Sequence, residues 1–301
     1  MPLNRMSWLR LPLLFGLGLA SGAAAETQYT AILGAYPPET DALRREFEPP
    51  AGANFTRHVI AGLVYETGVT DGRPVLLFQA GMSLVNAAYQ LQIALDHFRV
   101  ARVMFAGVAG GVNPDLAVAD VVIPDRWAYH AEAAYLNPDG KGGYIVPEYL
   151  HPRLKNYGMM FPDAVTVMRE GEKEPRRKPF FEADPSLLAL ARKAAAHLGK
   201  LTYGGRPIQI RVGGTGVTGP VFLDNADYRH WVHAVWDAEC TDMESTAYAQ
   251  VCWANHTPFL IVRGLSDLAG GQHAPNPINE NEDAVAVLAA KTLHAVFDQL
   301  P

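Results

Sequence analysis

Three carboxylate groups follow apolar segments that have the composition of buried strands. Glu39 comes after the segment 27–34, while Glu244 and Asp267 come after the segments 235–240 and 258–264. In an open α/β sheet, ligands bind at the carboxyl ends of the strands. We therefore expect the three acids to face one cavity, where carboxylates can do acid–base chemistry on a sugar or a base.

Each of these acids also has a purely structural explanation. Asp242 or Glu244, near a predicted helix start, would be favoured by the helix dipole, and Asp267 would serve as a turn or cap residue. Arg263 would then simply pair with a nearby acid. The Gly-rich segment 107–111 would either cradle an anion or form a tight turn after a strand. The residues alone leave these alternatives open.

The elements that must position the acids alternate between strand and helix patterns. This alternation predicts a single α/β domain, a three-layer sandwich with a mixed central β-sheet. A segment at 135–185, rich in Pro, Gly and Tyr, is too long for an ordinary connection; it is an active-site lid, an oligomer contact or a partly ordered insert. The predicted strands are 27–34, 58–69, 74–79, 102–105, 120–124, 207–212, 235–240 and 258–264, and the predicted helices are 40–47, 85–98, 187–198, 226–234, 243–254 and 282–300.

Composition argues against several classes of protein. The 301 residues are 49% hydrophobic and 19% charged, which suits a full core and not a disordered chain. A net charge of −6 argues against a nucleic-acid-binding protein. Cys240 and Cys252 are expected to lie too far apart for a disulfide. No Cys/His pair has zinc-binding spacing, so we predict no structural metal. We also expect that the activity needs no metal and no organic cofactor.

The first 25 residues have the pattern of a secretory signal peptide. Arg5 and Arg10 flank the start of a short apolar run, and three alanines at 23–25 supply small residues for cleavage. The alternative, a membrane anchor, is disfavoured because the run is too short to span a bilayer comfortably. We expect a mature domain at 26–301 that is periplasmic or secreted and has no membrane contact after cleavage.

Three motifs together resemble the purine nucleoside phosphorylase and nucleosidase superfamily. They are AGVAGGV at 106–112 with VADVV shortly after it, DMESTA at 242–247, and VRGLSD at 262–267, in the family's order. The opening GAYPPE at 34–39 resembles that of the methylthioadenosine/S-adenosylhomocysteine nucleosidases, in which a Glu of the first loop activates water. The resemblance implies a nucleoside phosphorylase-like fold, a purine nucleoside as small-molecule partner, and a homodimer.

The resemblance also implies a role for each site residue. Asp267 would protonate the purine at N7 with Ser266 beside it, and Glu39 would deprotonate the attacking water with Arg263 nearby. Glu244 would bind the ribose hydroxyls. The other substrate-binding positions are Met243 against the sugar, Phe222 stacked on the purine, Leu223 at the base edge through its backbone, and Gly81 in the segment AGMS at 80–83. Tyr36 either lines the pocket for the 5′ substituent or is a surface aromatic.

Hydrolysis and phosphorolysis are the two alternatives for the reaction. A phosphorylase needs a cationic cradle for phosphate, whereas the first loop and the segment 103–106 contain no basic residue, and Glu39 would repel phosphate. We therefore predict a purine nucleosidase that hydrolyses the N-glycosidic bond of a nucleoside such as methylthioadenosine or S-adenosylhomocysteine. The alternatives are a phosphorylase that uses Arg176 or Arg177 of the insert, and a nucleoside-binding protein without turnover.

Overall fold

The computed structural model describes residues 27–199 and 201–301. The predicted signal peptide at 1–25 lies outside the described residues. The strands are β1 (Tyr29–Gly34), β2 (Thr56–Ile60), β3 (Leu63–Thr70), β4 (Arg73–Gln79), β5 (Val100–Gly111), β6 (Val121–Ile123), β7 (Arg126–Tyr129), β8 (Ala133–Tyr135), β9 (Met160–Pro162), β10 (Val165–Val167), β11 (Arg176–Lys178), β12 (Phe181–Glu182), β13 (Thr202–Tyr203), β14 (Arg206–Pro207), β15 (Ile210–Val212), β16 (Thr215–Thr218), β17 (Ala238–Asp242) and β18 (Phe259–Asp267). The helices are α1 (Pro37–Glu46), α2 (Leu84–His97), α3 (Pro185–His197), α4 (Ala226–Trp236), α5 (Ser245–Ala254) and α6 (Ile278–Phe297).

One mixed sheet forms the centre of the molecule. Its strands follow the order β12-β7-β16-β17-β5-β1-β4-β3-β2, and β18, β6 and β15 branch from β5. Strand β5 is parallel to β1 and to β18, and its last residues pair antiparallel with β17. Helices α1, α3 and α6 pack together as one group, and α2 and α5 pack together as another. The predicted single-domain α/β fold with a mixed sheet is confirmed.

Helices α3 and α1 begin in two different ways that their local sequences explain. At α3, the Asp184 side chain accepts hydrogen bonds from the N–H groups of Ser186 and Leu187 at 2.9 and 3.0 Å. Helix α1 starts with Pro37 and Pro38, which cost no helical hydrogen bond in the first turn. This start places Glu39 in the first turn of α1, directly after the end of β1.

Strand β5 continues through the Gly-rich segment, so residues 107–111 are extended and do not form the tight turn considered from the sequence. A Cβ at Gly107 would lie 2.0 Å from Oε1 of Glu39 and 2.2 Å from Nη1 of Arg263. The Val108 N–H donates a hydrogen bond of 2.8 Å to the Glu39 carboxylate. The anion beside this segment is therefore an acid of the protein itself, and the absence of a side chain at Gly107 makes room for it.

The insert at 135–185 folds against the sheet and helix α4. It contributes the pairs β8–β9 and β10–β11, and β12 extends the main sheet beside β7. The Tyr157 ring lies 4.9 Å from that of Tyr228 and 5.4 Å from that of Trp231. No residue of the insert lines the cavity described below, so the structure gives no support to the lid alternative.

Two further observations concern the rest of the described chain. Cys240 and Cys252 are buried free thiols, as predicted. Among the helices of residues 27–199 and 201–301, none has both the length and the apolar character needed to cross a bilayer.

Candidate active site

A cavity of about 230 Å³ opens where β1, β17 and β18 end beside the distal part of β5. It contains all three acids that the strand-end pattern predicts to meet. These residues, Glu39, Glu244 and Asp267, are only 2–5% exposed. The lining residues are Ala35, Tyr36, Glu39, Met82, Val108, Ala109, Gly110, Val221, Phe222, Leu223, Thr241, Asp242, Met243, Glu244, Ser266, Asp267, Ile278 and Glu282. Of the predicted site residues, Gly81 and Arg263 are not in this lining.

Arg263 lies fully buried behind the cavity and binds three carboxylates. Its guanidinium nitrogens lie 3.2 Å from Glu39 Oε1, 3.1 Å from Glu244 Oε2 and 2.6 Å from Asp242 Oδ2. The guanidinium carbon lies 4.1 Å from the centre of the Phe105 ring. Burial lowers the pKa of Arg263, but the three carboxylates outweigh that effect and raise its pKa above the ordinary value. Arg263 is thus a permanent cation that holds the three carboxylates from behind the cavity and does not line it.

Asp242 is the central hydrogen-bond acceptor of this cluster. It accepts from the Thr218 hydroxyl at 2.6 Å and from Arg263 Nε at 2.7 Å. It also accepts from the N–H groups of Glu244 and Ser245 and from the Ser245 hydroxyl. The predicted helix-start role of Asp242 is therefore one part of its function. The same contacts fix the turn between β17 and α5 that directs Glu244 to the cavity.

The Glu39 carboxylate has one oxygen with spare accepting capacity. Oε1 accepts from Val108 N–H at 2.8 Å and from Arg263 at 3.2 Å. Among residues 27–199 and 201–301, the one donor to Oε2 is Ala35 N–H at 2.6 Å. A carboxylate oxygen has two lone-pair directions, so Oε2 keeps one for a further donor. Burial raises the pKa of Glu39, although Arg263 and the two backbone N–H groups act in the opposite direction. A carboxylate with a raised pKa is a stronger base.

Glu244 is held at both oxygens but keeps accepting capacity on each. Oε1 accepts from Ser83 N–H at 2.7 Å and Oε2 from Arg263 at 3.1 Å. Burial raises the pKa of Glu244 to about 7; Arg263 opposes this shift, and the nearby carboxylates of Asp242 and Glu39 add to it. Gly81, at a positive φ of 73°, belongs to the turn that brings Ser83 to Glu244. Its contribution to the site is this backbone conformation and not a cavity wall.

Asp267 has two chemically different oxygens. Oδ1 accepts from Ala269 N–H at 2.8 Å and from the Asn276 side-chain amide at 3.2 Å. Oδ2 accepts a hydrogen bond of 3.0 Å from the Ser266 hydroxyl. Because two N–H donors occupy Oδ1, a proton on this carboxyl group must reside on Oδ2. The Ser266 hydroxyl therefore lies beside the oxygen that would carry this proton.

A tyrosine–glutamate pair completes the polar part of the wall. The Tyr36 hydroxyl donates a hydrogen bond of 2.6 Å to Glu282 Oε2, and both residues line the cavity. Neither Glu282 nor Asn276 was predicted from the sequence as a site residue. The only available signal was their position near Asp267 in the chain, at the start of the terminal helix.

The likeness to known proteins extends over almost the whole described chain. The sequence matches the phosphorylase superfamily over residues 29–300. The chain belongs to the phosphorylase superfamily.

Similar proteins within the phosphorylase superfamily include nucleosidases. The 5′-methylthioadenosine/S-adenosylhomocysteine nucleosidase of Geobacillus kaustophilus is 32% identical over 241 residues, which cover 80% of this chain and 84% of that protein. The structure of futalosine hydrolase of Helicobacter pylori superposes with a TM-score of 0.69 at 22% identity, covering 91% of this chain and 99% of the other. The 5′-methylthioadenosine/S-adenosylhomocysteine nucleosidase of S. pneumoniae with a transition-state inhibitor gives 0.69 at 23% identity, covering 91% and 100%. The predicted resemblance to this nucleosidase branch is confirmed, as is the prediction of an N-glycosyl hydrolase.

The charge of the cavity distinguishes this superfamily member from one that binds phosphate. Among the lining residues there are five carboxylates and no Arg, Lys or His. Arg263 is occupied by three carboxylates. Arg176 and Arg177 of the insert pair instead with Glu172 and Asp163, and neither lines the cavity. The cavity therefore has no cationic cradle for a phosphate nucleophile.

Proposed function

We propose that this protein hydrolyses the N-glycosidic bond of a purine nucleoside and releases the free base. The observation that carries the proposal is the arrangement of Glu39, Glu244 and Asp267 in one cavity, each with a different oxygen still available. Cleavage leaves positive charge on the ribose and negative charge on the purine. A site with a proton donor at one end and a base at the other meets both requirements.

Asp267 acts at the base end of the nucleoside. Its Oδ2 proton passes to purine N7 while the bond between C1′ and N9 breaks, and the bonding electrons go to the purine. Phe222 is 54% exposed, so its ring is free to stack on the base, and the Leu223 backbone lies at the base edge. Protonation turns an anionic leaving group into a neutral one, and such positioned proton transfers contribute about 10²–10⁴-fold.

Glu244 and Glu39 act at the sugar end. The free lone pairs of Glu244 accept hydrogen bonds from the ribose hydroxyls, and Met243 packs against the sugar. Water bound at Glu39 Oε2 attacks C1′, and its proton passes to that oxygen. The excess of carboxylates over Arg263 stabilises the positive charge that develops on the ribose. Proton exchange with solvent then returns Glu39 and Asp267 to their starting states.

The absence of a cationic cradle in the cavity supports water, and not phosphate, as the nucleophile. A phosphate dianion would enter beside Glu39, Asp242 and Glu244 without a partner of opposite charge. The negative charges of the phosphate and of these carboxylates would repel each other strongly in a buried site. The reaction is therefore expected to proceed in buffers that contain no phosphate.

The candidate substrates are methylthioadenosine and S-adenosylhomocysteine, because the related G. kaustophilus protein is named a nucleosidase of these two compounds. The test is to incubate the purified mature protein with each of these, adenosine and inosine, with and without phosphate, and to quantify released base by chromatography. Release without phosphate supports hydrolysis, strict dependence on phosphate contradicts it, and tight binding without release contradicts turnover. Asp267→Asn is the matched control for contaminating activity.

We further propose that the protein is exported and that the chain of the mature enzyme begins at Glu26. The charged start, short apolar run and alanines of the first 25 residues support this proposal. Cell fractionation followed by mass measurement of the intact protein tests it. A full-length chain in the cytoplasmic fraction would contradict it.

We propose a homodimer on the basis of an exposed apolar surface beside the cavity. This surface consists of Met82, just before α2, and of Val85 and Tyr89 in the first turns of α2. Their exposed fractions are 56% for Met82, 80% for Val85 and 52% for Tyr89. Contiguous apolar side chains of this kind mark interaction surfaces. Sedimentation velocity of the wild type and of Val85→Glu tests the proposal, because a dimer through this surface dissociates in the variant. A wild-type monomer would contradict it.

A further inference from the structure

We propose that Asn276 is a positioning residue for the proton transfer, because its side-chain amide bridges Asp267, the proton donor, and Asp224, which follows the residues that contact the base. This inference rests on the proposed function, since it assigns a residue outside the cavity lining to the step that Asp267 performs. It adds no contact to the substrate and leaves the roles of Glu39 and Glu244 unchanged.

The orientation of the Asn276 amide follows from its contacts. The Ile278 N–H donates a hydrogen bond of 3.0 Å to Asn276 Oδ1, so the other end of the amide is the NH2 group, which has two protons to donate. Its nitrogen lies 3.2 Å from Asp267 Oδ1 and 3.1 Å from Asp224 Oδ1. Each carboxylate therefore accepts one of the two protons, and the amide is held at both ends.

Asp224 connects this amide to the segment that meets the base. The three residues before Asp224, at 221–223, all line the cavity. Asp224 Oδ1 also accepts from Gln272 Nε2 at 2.8 Å, and the N–H of the next residue, Asn225, donates to the Ala269 carbonyl at 3.1 Å. These hydrogen bonds join the base-contacting segment to the loop after β18, which begins at the proton donor.

The bridge acts on the oxygen of Asp267 that does not carry the proton. Oδ1 accepts from the Ala269 N–H, two positions along the chain, and from Asn276, nine positions along the chain. With both bonds in place the carboxyl group has one orientation, in which Oδ2 is the oxygen available for the proton. Without Asn276 the group keeps a single donor on Oδ1 and is free to tilt. A proton donor must lie within hydrogen-bond reach of the atom that it protonates, so this tilt is expected to slow the transfer.

A neutral donor is the type of group that this position requires. A Lys or Arg side chain here would favour the ionised form of Asp267, which has no proton to give. A carboxylate would repel both Asp224 and Asp267. The amide of Asn276 binds the two acids without carrying charge, so it fixes the geometry of Asp267 and still permits its protonated form.

The test is a double-mutant cycle between Asn276→Ser and Asp267→Asn. The values of kcat and KM are measured for whichever nucleoside the wild type cleaves fastest in the substrate test of the proposed function. Asn276→Ser is expected to lower kcat about 10- to 100-fold while KM stays within about threefold, because the shorter side chain does not reach both carboxylates. In the Asp267→Asn background the same substitution is expected to change kcat by less than about threefold, since a residue that acts only through Asp267 has nothing left to position.

Two further variants separate the bridge from the folding of the loop. Asn276→Asp keeps the size of the side chain and an acceptor for the Ile278 N–H but removes both N–H donors. It is expected to lose at least as much kcat as Asn276→Ser, and it carries the test if that variant does not fold. Gln272→Ala is the matched control, because Gln272 donates to the same Asp224 oxygen while its own amide oxygen accepts from the Gly270 N–H. Its kcat is expected to stay within about threefold of the wild type.

The possible results decide the inference separately from the proposed function. A kcat near the wild-type value in both Asn276 variants overturns the inference. It is also overturned by an equal loss in Gln272→Ala, or by a loss that is as large in the Asp267→Asn background as in the wild type. Each of these results leaves the proposed function intact. Failure of the wild type to release base from any nucleoside overturns the proposed function instead.

Discussion

Replacing Gly107 by Ala is expected to lower turnover far more than its loss of stability would explain. The new methyl group would displace the cluster that Arg263 forms with Glu39, Asp242 and Glu244. The new Cβ would lie 2.0 Å from Glu39 Oε1, whereas ordinary contact begins near 3.4 Å, so the carboxylate must move by about 1.4 Å. That movement breaks the hydrogen bonds from Val108 N–H and Arg263 to Oε1. A misplacement of about 1 Å costs roughly 100-fold in rate, and overpacking costs about 1–3 kcal/mol of stability.

The assay for Gly107→Ala is chromatographic measurement of released base together with urea denaturation. Gly216→Ala is the matched control, because its Cβ would lie 2.5 Å from the Trp127 ring in the same sheet, and its three nearest atoms all belong to that ring and not to an acid. The control is expected to lose a similar free energy of unfolding while keeping kcat within a few-fold of wild type. Turnover by Gly107→Ala within three-fold of that control would refute the assigned placement of Glu39.

Three further predictions follow from the site and from one buried histidine. Asp267→Asn is expected to lower kcat by about 10²–10⁴-fold with unchanged thermal unfolding; near-normal release of base would remove Asp267 from the mechanism. Glu244 must be ionised to accept from the ribose hydroxyls, and its pKa is raised to about 7. The kcat/KM value should therefore rise by about tenfold per pH unit as the pH approaches that pKa from below, and a profile that falls over this range would contradict the assignment. Burial lowers the pKa of His130 from 6.5 to about 4. The unfolded chain therefore takes up the proton first as the pH falls. The contribution of His130 to the free energy of unfolding, taken as the difference between wild type and His130→Asn, should be constant above pH 6.5 and fall by roughly 3 kcal/mol towards pH 4. Urea titrations of wild type and His130→Asn at several pH values measure this slope, and an equal slope in both would contradict it.

The sequence predicted those elements whose apolar spacing is strong. Helices expected at 85–98 and 187–198 are observed at Leu84–His97 and Pro185–His197. Strand β16 was not predicted, because its four residues, TGVT, are buried on both faces and so show no alternation. The end of β5 was also unpredicted. Gly and Ala have weak strand propensity, and their presence is explained only by the acid that approaches them in three dimensions.

The strand-end rule was sufficient to predict that three distant acids would meet. It was not sufficient to predict how they are held. Asp242 and Glu244 are separated by one residue in the sequence. Only the turn into α5 shows that Asp242 accepts a hydrogen bond from the Glu244 backbone and so fixes its position. The contact between Tyr36 and Glu282 spans 246 residues, and no local pattern in either segment indicates it.

The long separation between the partners of Arg263 has a consequence for biosynthesis. Glu39 lies near the beginning of the chain, and Arg263 lies 224 residues later in the last strand. A nascent polypeptide whose β18 has not yet left the ribosome lacks both the cation that holds the acids and Asp267, the proposed proton donor. Contacts of such high sequence separation form late in folding. A chain held unfolded for passage through a membrane would therefore consume no nucleosides on the way, and hydrolysis would begin only where the complete protein folds.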